Sequence, residues 1–381
     1  MNRIAAIFAV LFCLALVPCA PAEEESRTGS GDERIRSLVD SMTLREKVAQ
    51  MIVVRPEVLA GVSGPVTVAR EATREAFDRC PVGGIIYMGS NLKNPEQVKQ
   101  LCSDMQKISM DRIGLPVFLC VDEEGGTVAR VSGNRDFGIS PVPRMSKIGA
   151  AGDPEKAREA GEKIGTYLSG LGFNVDFAPV ADVLTNPKNT VVRARSFGSD
   201  PELVTEMTGA FFEGLSSKGV LACYKHFPGH GATAEDSHKG FAASKRTLEQ
   251  LRQSELVPFQ DAADRGVPFI MSGHITAAKV TGKKTPASLS PELLTGLLRE
   301  EMGYDGIIIT DSLSMGAITK NYSLKKAAVM AVLAGNDMLL MPGSLKTCVS
   351  AIVEAVEEGE IPEERIDEAV CRIIRAKLQM D

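Results

Sequence analysis

A chain of 381 residues, 44% of them hydrophobic, with a formal net charge of -6 is long enough for two average domains or one large α/β barrel, and it can bury a sizeable core. No lysine- or arginine-rich block interrupts it, so it lacks the electrostatic footprint of a nucleic-acid partner and that class is set aside. Its 8 cysteines form no CxxC pair, which excludes the usual zinc and redox motifs.

Residues 1–22, MNRIAAIFAVLFCLALVPCAPA, combine a cation at Arg3, an apolar run from Ile4 to Val17 and a small-residue exit. This is the anatomy of a secretory signal, too short for a comfortable membrane span. Leu16-Val17-Pro18-Cys19 resembles a bacterial lipoprotein cleavage box, with proline where a small residue is usual. Cys19 is therefore a candidate for a lipid tether to the membrane. Export from a bacterial cytoplasm is expected, to the periplasm, the cell surface or the medium. Residues 23–34 are polar and read as a flexible tether, and residues 35–381 as one folded domain. The six cysteines beyond the leader, Cys80, Cys102, Cys120, Cys223, Cys348 and Cys371, mostly sit in apolar runs and are expected as free thiols.

Thr43 and Glu46 have capping-box spacing ahead of Val48 and Met51, which delays the first strand. Eight short apolar runs then recur: MIVV from Met51, GIIY from Gly84, PVFLCV from Pro116, VDFAPV from Val175, VLACY from Val220, PFIMS from Pro268, GIIIT from Gly306 and DMLLM from Asp337. Each is too short for a helix and apolar enough for burial on both faces. Between them Asn94-Pro95, Asp153-Pro154, Asp200-Pro201 and Ser290-Pro291 place a capping side chain before a first-turn proline, and Gly170, Gly219 and Gly303 are expected to end the matching helices. Eight strands alternating with helices predict an α/β fold, a single-domain (β/α)8 TIM barrel with irregular early strands. An open doubly wound sheet is less favoured, because no GxGxxG follows the first strand.

In such a barrel the working groups lie just past the strand C-termini. Asp122-Glu123-Glu124-Gly125-Gly126, Asp182, Lys225-His226, His274 and Asp311 all follow apolar runs in this way. Three of the 4 histidines fall in KHFPGHGATAEDSH, Lys225 to His238. His226, His230, Asp236 and His238 could ligate zinc, but the stretch lacks a helical HExxH spacing and its glycines make it a loop, so no metal and no cofactor are expected. In Asp236-Ser237-His238 the carboxylate can orient the imidazole for proton exchange, or simply cap its own loop. Asp311 can attack a carbon bearing a protonated leaving group, or cap the helix that follows it.

KHFPGHG followed by four residues and DSH, with VDEEGG, the RSFG at Arg195 to Gly198 and TDSLSM, resembles glycoside hydrolase family 3, in its β-N-acetylglucosaminidase branch. The likeness runs from about Leu44 to Leu378. It implies that Asp311 is a nucleophile, that His238 with Asp236 is the acid/base, and that Asp122, Arg130, Arg195, Lys225 and His226 contact the sugar. Thr127 and Ser312 depart from the family's commoner arginine and aspartate.

The chemistry is consistent with the resemblance. A retaining glycosidase needs one group to protonate the departing oxygen and another to capture the anomeric carbon, ordinarily two carboxyls about 5 Å apart. Here an imidazole takes one role, and Gly229, Gly231 and Gly240 are read as hinges that let His238 swing in. With Trp 0 and Tyr 5 the chain lacks the aromatic platforms of a long polysaccharide cleft, so exo action on a single sugar is expected. His230 and His274 read as packing or loop-shaping residues. The expected protein is a monomeric, retaining exo-β-N-acetylglucosaminidase (β-N-acetylhexosaminidase) whose partner is a small carbohydrate containing GlcNAc, with peptidoglycan fragments as its source. The alternatives are a β-glucoside hydrolase, a glycoside phosphorylase, or an inactive sugar-binding lipoprotein.

Overall fold

A computed structural model describes residues 24–233 and 241–380, with side chains described from Gly31 onward. Eight parallel strands form the centre: β1 (Ile52–Val54), β2 (Gly84–Ile86), β3 (Phe118–Val121), β4 (Val175–Asp176), β5 (Leu221–Phe227), β6 (Phe269–Ser272), β7 (Ile307–Thr310) and β8 (Leu339–Leu340). Their order around the sheet is β7-β6-β5-β4-β3-β2-β1-β8. A parallel bridge between Ile309 and Met338 joins the two ends, so the sheet curls into a (β/α)8 barrel as the alternating pattern requires. Every predicted apolar run overlaps one of these strands, nearly all of it buried, and β5 runs on past its apolar run to Phe227.

The irregularity lies at β4 rather than in the early strands. Regular pairing stops after Asp176, just before Ala178-Pro179, where proline brings no N–H to the ladder. Beyond it Cys223 N of β5 donates to Ala178 O at 2.9 Å and a single parallel bridge joins Val180 to Lys225, while β5 itself shifts register against β6 between Lys225 and Phe227.

The Thr43–Glu46 capping box is present at the start of the helix Leu44–Gln50. Asn94, Asp153 and Asp200 accept N–H groups at the starts of Pro95–Ile113, Pro154–Leu171 and Pro201–Ser216. Ser290 differs: its hydroxyl donates to Glu292, and the following Glu292–Glu301 is a wide, π-type helix that buries Leu293, Leu294, Leu297 and Leu298. The helix expected to stop at Gly170 continues to Leu171 and ends on Gly172 at φ 96, a left-handed conformation that glycine adopts without a Cβ clash. Residues expected as a tether lie instead in a helix, Glu24–Asp40. Its later turns carry Ile35 and Val39, both buried in the core, and Asp32 meets Arg375 of the last helix at 3.5 Å. That apolar anchoring supplies the packing that polar composition alone could not. The six cysteines of the described residues are free.

Candidate active site

The strand C-termini open onto one mouth. Lys225 and His226 are adjacent residues of β5, joined by a cis peptide bond. The Lys225 ammonium, 3% exposed, lies 2.9 Å from Asp122 Oδ1 and 2.7 Å from Glu124 Oε1. Glu124 is gripped from its other side by Arg195, with Nε at 2.7 Å and Nη2 at 2.8 Å. Two carboxylates and two cations are thus interleaved, which is how charges survive burial. Burial alone would raise the Glu124 pKa, but Arg195 and Lys225 outweigh it and hold the carboxylate ionised far below the ordinary range.

Next to this cluster, His226 Nε2 lies 3.5 Å from Arg195 Nη2, and its Nδ1 is 2.8 Å from Asp182 Oδ2. The other Asp182 oxygen accepts the His226 and His230 amides at 3.3 Å and 2.6 Å. Burial acts to raise the Asp182 pKa, and the attraction of His226 and His230 with these hydrogen bonds keeps it low. The carboxylate therefore fixes both the imidazole and the first turn of the glycine-rich stretch. His230 is a buried packing residue as expected: its Nδ1 meets Thr233 Oγ1 at 3.0 Å and burial lowers its pKa.

Arg130 follows a small hairpin, Glu123–Gly125 with Val128–Ala129. The carboxylate of buried Glu123 accepts Val131 N at 2.8 Å, Ser132 N at 2.9 Å and Tyr167 Oη at 2.8 Å, which pins the backbone beyond Arg130. Among the described residues Arg130 makes no ion pair, and its buried Nε has no hydrogen-bond partner. It is not joined to the Lys225 cluster, and it keeps donors that a bound molecule can satisfy.

Asp311 comes immediately after β7. Its N–H donates to Ser272 O at 2.8 Å, and its Oδ1 accepts the Ser312 N–H at 2.7 Å. Burial works to raise its pKa, but nearby His274 and His226, the Ser312 amide and Lys225 lower it, leaving the carboxylate ionised. Asp236 and His238 lie outside the described residues. Gly229 and Gly231, read from the sequence as hinges, are buried close-packing positions: a Cβ would come within 2.5 Å of Glu255 Cβ at Gly229 and within 1.8 Å of Val183 O at Gly231.

The sequence reading missed Glu124 as the shared counter-ion of Arg195 and Lys225. It saw Asp182 at a strand end but not its hold on His226, and it left His274 as packing although this residue sits beside Asp311. These roles depend on contacts between different strands, and only their common address past the apolar runs could have signalled them.

A parallel barrel that gathers paired carboxylates and cations beside an ionised strand-end aspartate places them on the face where barrels of this kind carry their active sites. Residues 43–376 match the Glycosyl hydrolase family 3 N terminal domain, and the chain belongs to this family. It is similar to Beta-hexosaminidase A of Pseudoalteromonas piscicida, 32% identical over 330 residues, 80% of this chain and 55% of that protein. It is also similar to Beta-hexosaminidase LpqI of Mycobacterium tuberculosis, 35% identical over 271 residues, 69% of this chain and 68% of that one. Among solved structures, a glycoside hydrolase family 3 beta-N-acetylglucosaminidase from Paenibacillus sp. superposes with a TM-score of 0.84 at 39% identity, over 89% of this chain and 63% of that chain. The chain thus spans little more than half of the Pseudoalteromonas relative.

Proposed function

We propose that this chain is a retaining exo-β-N-acetylglucosaminidase that removes terminal β-linked GlcNAc, with peptidoglycan fragments as its natural source. The observation that carries the reading is the ionised Asp311 carboxylate at the end of β7, close enough to His226 and Lys225 of β5 to respond to their charge. Membership of a family whose relatives are named beta-hexosaminidases supports the substrate class.

In this mechanism Asp311 attacks the anomeric carbon while His238, oriented by Asp236, protonates the departing glycosidic oxygen. The glycosyl-enzyme ester is then opened by water, whose proton returns to His238. Asp122, Arg130, Arg195, Lys225 and His226 hold the sugar hydroxyls, and the fixed charges of the cradle make that binding rigid. The leader-like residues 1–22 support export to the periplasm, the cell surface or the medium, and Cys19 is the candidate for a lipid tether.

The test is chromophore release from an aryl N-acetyl-β-glucosaminide, together with peptide mapping after inactivation by a fluorinated GlcNAc analogue. The expected label is on the Asp311 peptide, and Asp311→Asn should lower kcat by at least about a thousandfold. Full turnover by that variant, or a label elsewhere, rejects the assignment. Added phosphate separates the outcomes further: a sugar 1-phosphate product would identify a phosphorylase.

A further inference from the structure

A closed circuit of hydrogen bonds surrounds Asp311. Its N–H donates to Ser272 O at 2.8 Å. The Ser272 hydroxyl donates to Asn336 Oδ1 at 2.7 Å, and Asn336 Nδ2 donates to Ser288 O at 2.9 Å. Ser288 Oγ meets His274 Nδ1 at 2.7 Å, and His274 Nε2 reaches Ser312 O at 2.9 Å. The Ser312 N–H returns to Asp311 Oδ1 at 2.7 Å. Ser272, His274, Ser288 and Asn336 are fully buried, so the bonds among them lie in a medium where leaving one unmade is expensive, and the two Ser312 bonds that complete the circuit are partly buried.

The circuit assigns the protons. A carbonyl oxygen only accepts, so His274 Nε2 must carry hydrogen and point it at Ser312 O. Nδ1 then faces the Ser288 hydroxyl, which can donate to it or accept from it. Both polar ends of Ser312 are thereby held, the carbonyl by His274 and the amide by Asp311 itself. Among the described residues Asp311 Oδ2 accepts no hydrogen bond, so the two carboxylate oxygens are not equivalent.

We propose that His274 is a positioning residue for the Asp311 nucleophile: by clamping the Ser312 carbonyl it keeps the Ser312 N–H on Oδ1 and leaves Oδ2 as the attacking oxygen. The assignment rests on the reading of Asp311 as nucleophile. It converts a residue that looks like packing into part of the reaction geometry. A carboxylate free to rotate would present the wrong oxygen, or both in turn, and lose the pre-orientation that makes attack unimolecular. His274 also belongs to the electrostatic surroundings of Asp311, together with His226 and Lys225 from β5 and the Ser312 amide; the Cys223 thiol of β5 is close enough to feel the Asp311 charge.

The experiment compares His274→Phe, His274→Gln and Asp311→Asn in the full chain on an aryl N-acetyl-β-glucosaminide across pH. His274→Phe removes the Nε2 donor and is expected to lower kcat about 10- to 100-fold with KM changed by less than about threefold. The acidic limb of its kcat/KM profile should move to higher pH, because Asp311 loses a group that favours its charge. His274→Gln, whose amide can still donate to Ser312 O, is expected to recover most of kcat. Wild-type kcat and an unmoved acidic limb in folded His274→Phe overturn the proposal, as does a Gln variant no better than Phe. Should the Phe variant not fold, Ser288→Ala carries the same test: kcat down about three- to tenfold with the limb displaced supports the circuit, and wild-type behaviour overturns it. Turnover by Asp311→Asn instead rejects the nucleophile reading on which the proposal rests, whatever His274 does.

Discussion

Two buried carboxyl groups that both feel the Lys225 charge end in opposite protonation states, and the difference lies in their other neighbours. Glu124 is buried against Arg195 and Lys225 and stays ionised. Asp176, at the end of β4, accepts one hydrogen bond, from the Glu123 amide at 2.9 Å, and its Oδ2 has no partner among the described residues. Burial there, with the Glu123 carboxylate adding to it, outweighs the Glu123 amide and Lys225 and pushes its pKa well above the carboxylate range. A carboxyl whose pKa is raised on folding holds a proton that the unfolded chain releases above about pH 4. It therefore subtracts from stability as pH rises through that value. Asp176→Asn, which keeps the shape and the acceptor but cannot ionise, is expected to raise the urea midpoint at pH 8 and to change it little at pH 4. Equal shifts at the two pH values would show that Asp176 is not held neutral.

At the scale of elements, the connection from β5 into the histidine-rich stretch is set by packing. Gly231 passes so close to the loop after β4 that a methyl group would meet Val183 O at 1.8 Å and Leu184 N at 3.1 Å, both backbone atoms. Asn186 N donates to Gly231 O at 3.1 Å from the same loop. Neither strand of this contact can yield as a side chain would, so Gly231→Ala is expected to cost about 2 to 3 kcal/mol in a denaturant titration and to lower kcat as the stretch leading to Asp236 and His238 shifts. A midpoint within about 0.5 kcal/mol of the parent would support the hinge reading instead. The sequence made the elements themselves legible. Apolar runs bounded by glycine and proline marked all eight strands, and Asp-Pro and Asn-Pro pairs marked three helix starts. Glycines were less informative, because a hinge, a helix stop and a close approach call for the same residue. Gly170, expected to end a helix, lies inside it, and Gly229 and Gly231 are close-packed where hinges were expected.

For the whole molecule, the site lay within reach of the sequence because a barrel puts every strand end at one mouth. Asp122, Lys225, His226 and Asp311 could be gathered by address alone. The pairings among them could not, since Glu124 meets Arg195 across 71 positions of chain and His226 meets Asp182 across 44.

The opposite end of the barrel was not legible at all. There Lys377, on the last helix Glu363–Leu378, is fully buried. Its ammonium donates to Gln50 Oε1 at 2.8 Å and stands 5.2 Å from the centre of the Phe118 ring, which packs edge-on to Phe269 at 5.3 Å. One lysine thus bridges the last residue of the helix Leu44–Gln50, the first residue of β3 and the helix Glu363–Leu378, tying that helix to the barrel floor. No carboxylate is paired with it among the described residues, and burial lowers its pKa to about 7. Between pH 7 and the ordinary lysine value the unfolded chain binds a proton that the folded chain does not, so this group makes stability rise with pH across that window. Below pH 7 both states are charged and the penalty is constant at a few kcal/mol. Lys377→Met keeps the length and apolar stem while removing the charge, at the cost of one donor to Gln50, about 1 kcal/mol. The variant is expected to be more stable than the parent by about 2 kcal/mol at pH 6, with the gap closing towards pH 10. Urea midpoints at the two pH values decide it: a gain that does not shrink as pH rises would mean that Lys377 is accommodated by packing and carries no buried-charge penalty.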